Sequence, residues 1–503
     1  MRKKKTQRCI GELLDHFEEG TLTRREFLRY AARLGISAAA ASSLIELPSF
    51  KNSGYCHADP VERNLVEIKN EILHIYQKQN LKIFWGDIHG HTGFSDGYGL
   101  PQEYFYTARH INNLDFAAIT DHAEWINWFQ SKLILGLGEK SLWEMTIDVV
   151  NENYVPGRFV SILGFEWTCD EYGHRNVCFR DTASVPIQPL GVGRYSTPQD
   201  LWEELSKYDA ITIPHHSIRL TALIDTSYQN NETERLVEIH SKWGASEWPY
   251  AHYEPMKNYV LYPELRRFAE GHSVLDMLNQ NFIVGMIGGT DTHQGLPGST
   301  TKDEPRGTIF NPATDPTPVT VGDFIELLEQ GYTYDHREPP YGGCGAIMAV
   351  FSQDLTREDI WDSMYNRQAY ASTGARALVY FLIKDTADTG NMAIMGGKIH
   401  IDGNPEVFVY VAGEHGSVIE RVQIIKNGKV ILRKEPRKEE IALRFEDVSY
   451  DGSPSYYFVR VVERQSEYLN HDDDHEYDPW GNAIGYQLSE LIWSSPIWVN
   501  QAQ

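Results

Sequence analysis

Six short apolar runs between residues 82 and 288 each give way to a histidine or a carboxylate, and no other feature of this 503-residue chain constrains its fold as much. The runs are "KIFWGDI", "DFAAIT", "RFVSIL", "AITI", "RLVEI" and "FIVGMIG". They lead into His89 and His91, Asp121-His122, Glu166, Pro214-His215-His216, His240, and Asp291-Thr292-His293. Helical patterns lie between them: "PQEYFYTARHIN" and "PQDLWEELSKY" each open on a proline suited to the first helical position, and Thr356 caps "TREDIWDSMYNRQAY". Such alternation marks a β/α layer or barrel rather than repeats. In a barrel the C-terminal ends of different strands converge on one rim, where active sites sit.

His89 and His91 are two residues apart on a strand and so face the same side. Such a pair can grip a metal ion or can equally form a hydrogen-bonded pair beneath a loop. The other five strand ends favour a shared ligand set. Imidazoles and carboxylates without thiolate suit zinc, manganese or iron(II), and more than four ligands imply more than one ion. Glu166 can bridge two of them. The five cysteines are too few for a disulfide framework and include no C-x-x-C, although a Cys169–Cys178 bridge stays open.

A formal charge of −24 argues against sequence-independent nucleic-acid binding, which needs a basic field. An anionic substrate must therefore be drawn by local positive charge. Arg306 in "EPRG" and Arg219 after "HHS" are the candidates, each able instead to form a surface ion pair. Asp87 and Asp121 are expected to accept ligand ring N–H groups. His240 is expected to face substrate or support a ligand, and His216 to be structural. Trp243 and Trp248 either wall the cleft or pack.

Residues 1–58 differ in texture from the rest. Thr23-Arg24-Arg25-Glu26-Phe27-Leu28 matches the twin-arginine export pattern, a moderate apolar stretch follows, and Ala58 offers a small-residue cleavage point. The expectation is a twin-arginine signal peptide over 1–58, recognised by the export machinery, and a periplasmic or secreted mature protein with no integral membrane segment. Residues 59–80 read as a linker or helix. From about 395 to 503 apolar and polar residues alternate, as in "VFVYVAG", "RVQIIKNGKVIL" with its Asn427-Gly428 turn, and "YYFVRVVE", which predicts an antiparallel β-sandwich-like domain. The acidic "HDDDHEYD" from His471 reads as a solvated loop, with calcium binding a minor alternative.

The order His89-x-His91 with Ser95-Asp96-Gly97, Thr120-Asp121-His122, a strand ending in Glu166, Gly173-His174, Pro214-His215 and Asp291-x-His293 resembles the PHP (polymerase and histidinol phosphatase) superfamily over roughly residues 80 to 300. "GHRN", "VEIHSKWG", "GGTDTHQG", "EPRGTIF" and "YASTGAR" resemble a large uncharacterised family within it that carries a β-rich C-terminal extension. The resemblance implies a distorted seven-stranded (β/α) barrel over 81–394 and metal-dependent hydrolysis of phosphate esters. It implies two or three divalent ions, zinc, manganese or iron, activating a hydroxide. His89, His91, Glu166 and Asp291 would hold the first ion, His122 and His293 with Asp96 the second, and Glu166, His174 and His215 the third. Asp96 stands where some members have histidine, so the second position is weaker or only two ions bind. Arg306, His240 and Asp121 would serve the reaction on a small anionic ester. A sulfate-ester hydrolase and a catalytically silent, metal-stabilised binding module are the alternatives. An amidohydrolase is disfavoured by Glu166 and Asp291-x-His293.

Overall fold

The computed structural model describes residues 65–128, 140–193, 197–247, 270–298, 346–464 and 489–502. Strands β1 (Lys82–Asp87), β2 (Phe116–Ile119) and β3 (Val160–Trp167) pair in parallel. Strand β4 (Arg175–Phe179) runs antiparallel between β3 and β5 (Ala210–Pro214), so β5 points the same way as β1 to β3. A three-stranded sheet joins β6 (Leu236–Ser241), β7 (Gly244–Ala245) and β8 (Gly285–Gly288), with β6 and β8 parallel. Isolated parallel bridges, Thr212 to Glu234 and Gly90 to Thr292, link the two sheets.

All six runs read from the sequence are therefore strands of one direction, and their C-terminal ends share a rim. β4 was not foreseen. Because it runs the opposite way, its first residue follows His174 at that same rim. Among the described residues the ladders do not close into a barrel. The architecture is mixed α/β, with a 13-stranded sheet and smaller sheets of four and three strands.

The helices are α1 (Leu65–Lys78), α2 (Pro101–Tyr106), α3 (Ala123–Trp128), α4 (Leu142–Asn153), α5 (Pro198–Leu205), α6 (Val274–Asn279) and α7 (Arg357–Tyr365). Their starts follow capping chemistry. Ser141, Thr197 and Ser273 each form a reciprocal capping box with Glu144, Asp200 and Asp276, satisfying donors that a helix start leaves open. Thr356 caps α7 by accepting from Asp359 N.

Strand β9 (Ile347–Ser352) pairs antiparallel with β1, and β10 (Ala369–Ser372) pairs with β9. Residues 489–494 pair with β10, which extends the same sheet into the C-terminal region through strands 455–464, 418–426 and 497–501. A four-stranded antiparallel sheet of 378–385, 392–394, 405–412 and 440–446 faces it, and Val379, Phe381, Val407 and Val409 share one core with Ile424, Val459 and Val461. The expected boundary at 394/395 thus falls within this four-stranded sheet. Helix α1 packs on that sheet, its Tyr76 hydroxyl donating to Phe381 O at 2.8 Å. Buried Glu247 ties the two halves together by accepting from Arg460 and Trp493. The expected Asn427-Gly428 turn joins strands 418–426 and 429–434, with both residues at positive φ.

Arg24, Arg25, Ala58, Trp248, Arg306, Cys344 and the acidic run from His471 lie outside the described residues. Cys169 and Cys178 are free and buried, so the bridge between them is not formed. No helix of the described residues is long and apolar enough to cross a membrane.

Candidate metal centre

Two buried aspartates fix the loops that carry the first histidines. Asp87 accepts from His89 N, Thr290 N, Thr290 Oγ1 and Gly298 N, clamping the loop after β1 to the loop after β8. Asp121 accepts from Thr92 N, Thr92 Oγ1 and Ser95 Oγ. Both were expected to accept imidazole N–H groups. They take backbone and hydroxyl donors instead, because each sits at the base of its loop and satisfies polar groups that burial would otherwise leave unpaired.

On this frame the side chains converge around Glu166. Its Oε2 lies 3.4 Å from His89 Nε2 and 3.2 Å from His91 Nε2. Its Oε1 lies 2.9 Å from His174 Nδ1, 3.4 Å from His122 Nδ1 and 3.6 Å from His215 Nε2. Asp291 Oδ1 lies 3.3 Å from His91 Nε2 and 3.6 Å from His89 Nε2. Asp96 Oδ1 is 3.3 Å from both His122 Nε2 and His293 Nε2 and 3.9 Å from His91 Nδ1. Ligand atoms bound at roughly 2.0–2.2 Å around a tetrahedral ion sit about 3.3–3.6 Å apart, so most of these spacings suit shared ions.

Four groupings have ligand atoms within 4.8 Å of one another: His91, Asp96, His122 and His293; His89, His91 and Asp291; His89, Glu166 and His215; and His174, His215 and His216. All nine residues expected as ligands are brought together, and His216, expected to be structural, joins them. His240 does not belong to these groupings. It is 1% exposed, with its ring 6.4 Å from that of Trp493.

Other partners orient the ligands. His89 Nδ1 lies 2.7 Å from Glu238 Oε2, His122 Nδ1 lies 2.5 Å from Thr168 Oγ1, and His174 Nε2 lies 3.0 Å from Asp170 Oδ1. Trp243 Nε1 donates to Asp291 Oδ2, and Lys242 Nζ donates to His293 Nδ1. Sequence reasoning missed Glu238, Lys242 and Thr168. Glu238 left one signal: a glutamate inside a wholly buried strand needs a partner.

The electrostatics describe a buried cluster of opposed charge. Burial alone would raise the Glu166 carboxyl, but His122 and His215 hold it well below its usual range. Burial works against protonated His122, yet Glu166 and Asp96 lift it to about 11. Burial, reinforced by His89, depresses His215 to about 3, and burial with Lys242 depresses His293 to about 4. Glu238 is raised to about 7 by burial.

The donor set fits metal ions. His89 Nε2, both ring nitrogens of His91 and of His215, His216 Nδ1 and Asp291 Oδ1 are buried without a hydrogen-bond partner among the described residues. Orphaned buried imidazoles on this scale are costly unless something binds them. Asp291 and His216 are also at positive φ, 51° and 34°, in the left-handed region that Asn, Asp and His enter more readily than other non-glycine residues.

The fold and site together define a mixed α/β protein with a buried His/Asp/Glu cluster able to hold metal ions. Residues 128–222 and 267–431 match the family described as protein of unknown function DUF3604, and the chain belongs to that family. An uncharacterised protein of Chlamydia muridarum is 21% identical over 434 residues, 83% of this chain and 57% of that protein. One of Chlamydia pneumoniae is 22% identical over 371 residues, 71% of this chain and 49% of that protein. The chain thus spans about half the length of these relatives. Among solved structures it is similar to a two-domain protein from Bacteroides vulgatus containing a predicted PHP-like metal-dependent phosphoesterase, with a TM-score of 0.36 and 14% identity, over 75% of this chain and 90% of that one. PsfC from Pseudomonas syringae gives a TM-score of 0.28 and 13% identity, over 57% of this chain and 98% of that one.

Proposed function

We propose that the chain is a metal-dependent hydrolase of phosphate esters, of the PHP type, exported with its ions loaded. The observation that carries this reading is Glu166, whose two oxygens each face a separate group of imidazoles, as a carboxylate bridging two ions requires. The seven-stranded barrel belongs to the same proposal. It is supported by six co-directional strands delivering their ends to one rim and by the bridges linking the sheets.

His89, His91, Glu166 and Asp291 would hold one ion, His122 and His293 with Asp96 a second, and Glu166, His174 and His215 a third. Bound divalent ions would supply a water acidic enough to attack near neutral pH and charge to stabilise a displacement at phosphorus. Arg219 contributes the anion contact. Its guanidinium stacks 3.9 Å above the Trp243 ring, and its buried Nε has no hydrogen-bond partner among the described residues. A planar donor pre-set on an aromatic shelf suits the oxygens of an anionic ester. Trp243 links this shelf to the ligands through its bond to Asp291.

The test is the full chain reconstituted with manganese or zinc and offered phosphate, sulfate and carboxylate esters. Phosphate-ester hydrolysis that disappears in folded His91→Ala and Asp291→Ala supports the proposal. Hydrolysis of sulfate esters alone replaces the substrate class. Binding without turnover across the panel makes the chain a binding module. Export is tested by replacing Arg24 and Arg25 with lysine: folded protein should then stay in the cytoplasm, and equal export of both forms would overturn that part.

A further inference from the structure

We propose that His216 is a metal ligand, and that with His174 and His215 it forms an all-imidazole position that prefers a zinc-class ion. This inference rests on the cluster binding metal at all.

Consecutive residues of an extended strand face opposite sides, so a His-His pair at the end of β5 should send one ring away from the other. Here the His215 and His216 rings are 4.3 Å apart, nearly perpendicular, and the His216 ring is 4.8 Å from that of His174. The left-handed backbone at His216, φ 34°, reverses the chain immediately after the strand and lets both rings fall on the same side. Histidine, like asparagine and aspartate, enters that region more readily than other non-glycine residues, so the turn is open to it. His216 is 2% exposed, and its Nδ1 has no hydrogen-bond partner among the described residues.

The other two rings are already set. His174 Nε2 is taken by Asp170 at 3.0 Å, which leaves Nδ1 facing Glu166. The His174 loop is pinned by Arg175, whose guanidinium donates to Glu234, Tyr172 O and Gly173 O. Both nitrogens of His215 are without hydrogen-bond partners among the described residues.

His174, His215 and His216 together form a nitrogen-only ligand set. Nitrogen donors favour zinc over manganese more than oxygen-rich sets do. The His91, Asp96, His122 and His293 position differs, since Asp96 is exposed to solvent and brings oxygen.

The experiment is stepwise chelation of the metal-loaded full chain, with zinc and manganese counted per chain after each step, for the wild type and His216→Asn. Asparagine tolerates left-handed backbone, so this variant removes the ring and not the turn. In the wild type one zinc should outlast the other ions. In His216→Asn that zinc should leave at a chelator concentration at least about tenfold lower, in line with the loss of a ligand contact. Unchanged retention in the folded variant overturns the inference and leaves the hydrolase reading intact, whereas a wild type that binds no metal overturns both. Should His216→Asn fail to fold, X-ray absorption of the last retained zinc in the wild type decides: three imidazoles in its shell support the inference, and fewer overturn it.

Discussion

Nδ1 of His89 lies 2.7 Å from Oε2 of Glu238, and both residues are fully buried. The carboxylate takes one ring nitrogen and so turns the other, Nε2, toward Glu166 and Asp291. Such acceptors fix both the tautomer and the direction of a ligating imidazole. Glu238→Gln keeps the side-chain size but offers the ring an amide that can present its NH2 group. Metal affinity is expected to fall about 10- to 100-fold, read by competition with a chromophoric chelator. Unchanged affinity would mean that packing alone aims His89.

Arg219 offers a second test, directed at substrate and not at metal. Arg219→Ala should lower kcat/KM for an anionic ester by roughly 10- to 100-fold, the equivalent of about 1.5–3 kcal/mol for a hydrogen bond to a charged group, chiefly through KM. Arg219→Lys should restore little, because the stacked planar fork over Trp243 is lost. Metal content of both variants should match wild type. A fall in metal content would show that Arg219 supports the cluster instead.

Gly289 passes so close to the ligand frame that a side chain has no room. A Cβ there would lie 2.5 Å from Glu238 Oε2 and 2.8 Å from His89 Cβ. Gly289→Ala should therefore push apart the His89 and Glu238 pair, costing about 1–3 kcal/mol of stability and weakening metal binding in the same protein. Thermal unfolding followed by elemental analysis tests both effects. A variant as stable and as well metallated as wild type would show that the strand can shift without cost.

Far from the cluster, Glu463 predicts a pH effect. Burial, aided by neighbouring Glu414 and Glu490, raises its carboxyl to about 7. Between the unfolded value near 4.5 and about 7 the folded chain binds more protons there than the unfolded chain, so stability falls as pH rises. The contribution is fully present below about pH 4.5 and lost by the time pH passes about 7, an effect of up to about 3 kcal/mol. Glu463→Gln keeps an oxygen to accept from Glu414 N. It should be more stable than wild type at pH 8 and close to it at pH 4, by denaturant titration. Equal pH dependence in both proteins would refute the assignment.

The strand-end chemistry was legible in the sequence because both of its components are local. Apolar runs such as "DFAAIT" and "FIVGMIG" specify strands, and the residues that follow them specify ligands. A shared direction then suffices to gather His89, His91, His122, Glu166, His215, Asp291 and His293 at one rim. Proline and hydroxyl residues fixed the helix starts at 101, 198 and 357 in the same local way. What the tertiary structure alone decided depends on partners distant in sequence. The reversal of β4 places His174 at the rim, and residues 489–494 splice the C-terminal strands onto β10 and so merge two expected domains into one sheet. Asp87 and Asp121 sit where backbone donors crowd them, which gave them loops to clamp in place of rings to orient. Glu238 and Lys242 became part of the site through residues 149 and 51 positions away. His216 entered it through a left-handed turn, since a single φ angle determines which side of a strand end a ring faces and neither residue type nor spacing encodes that angle.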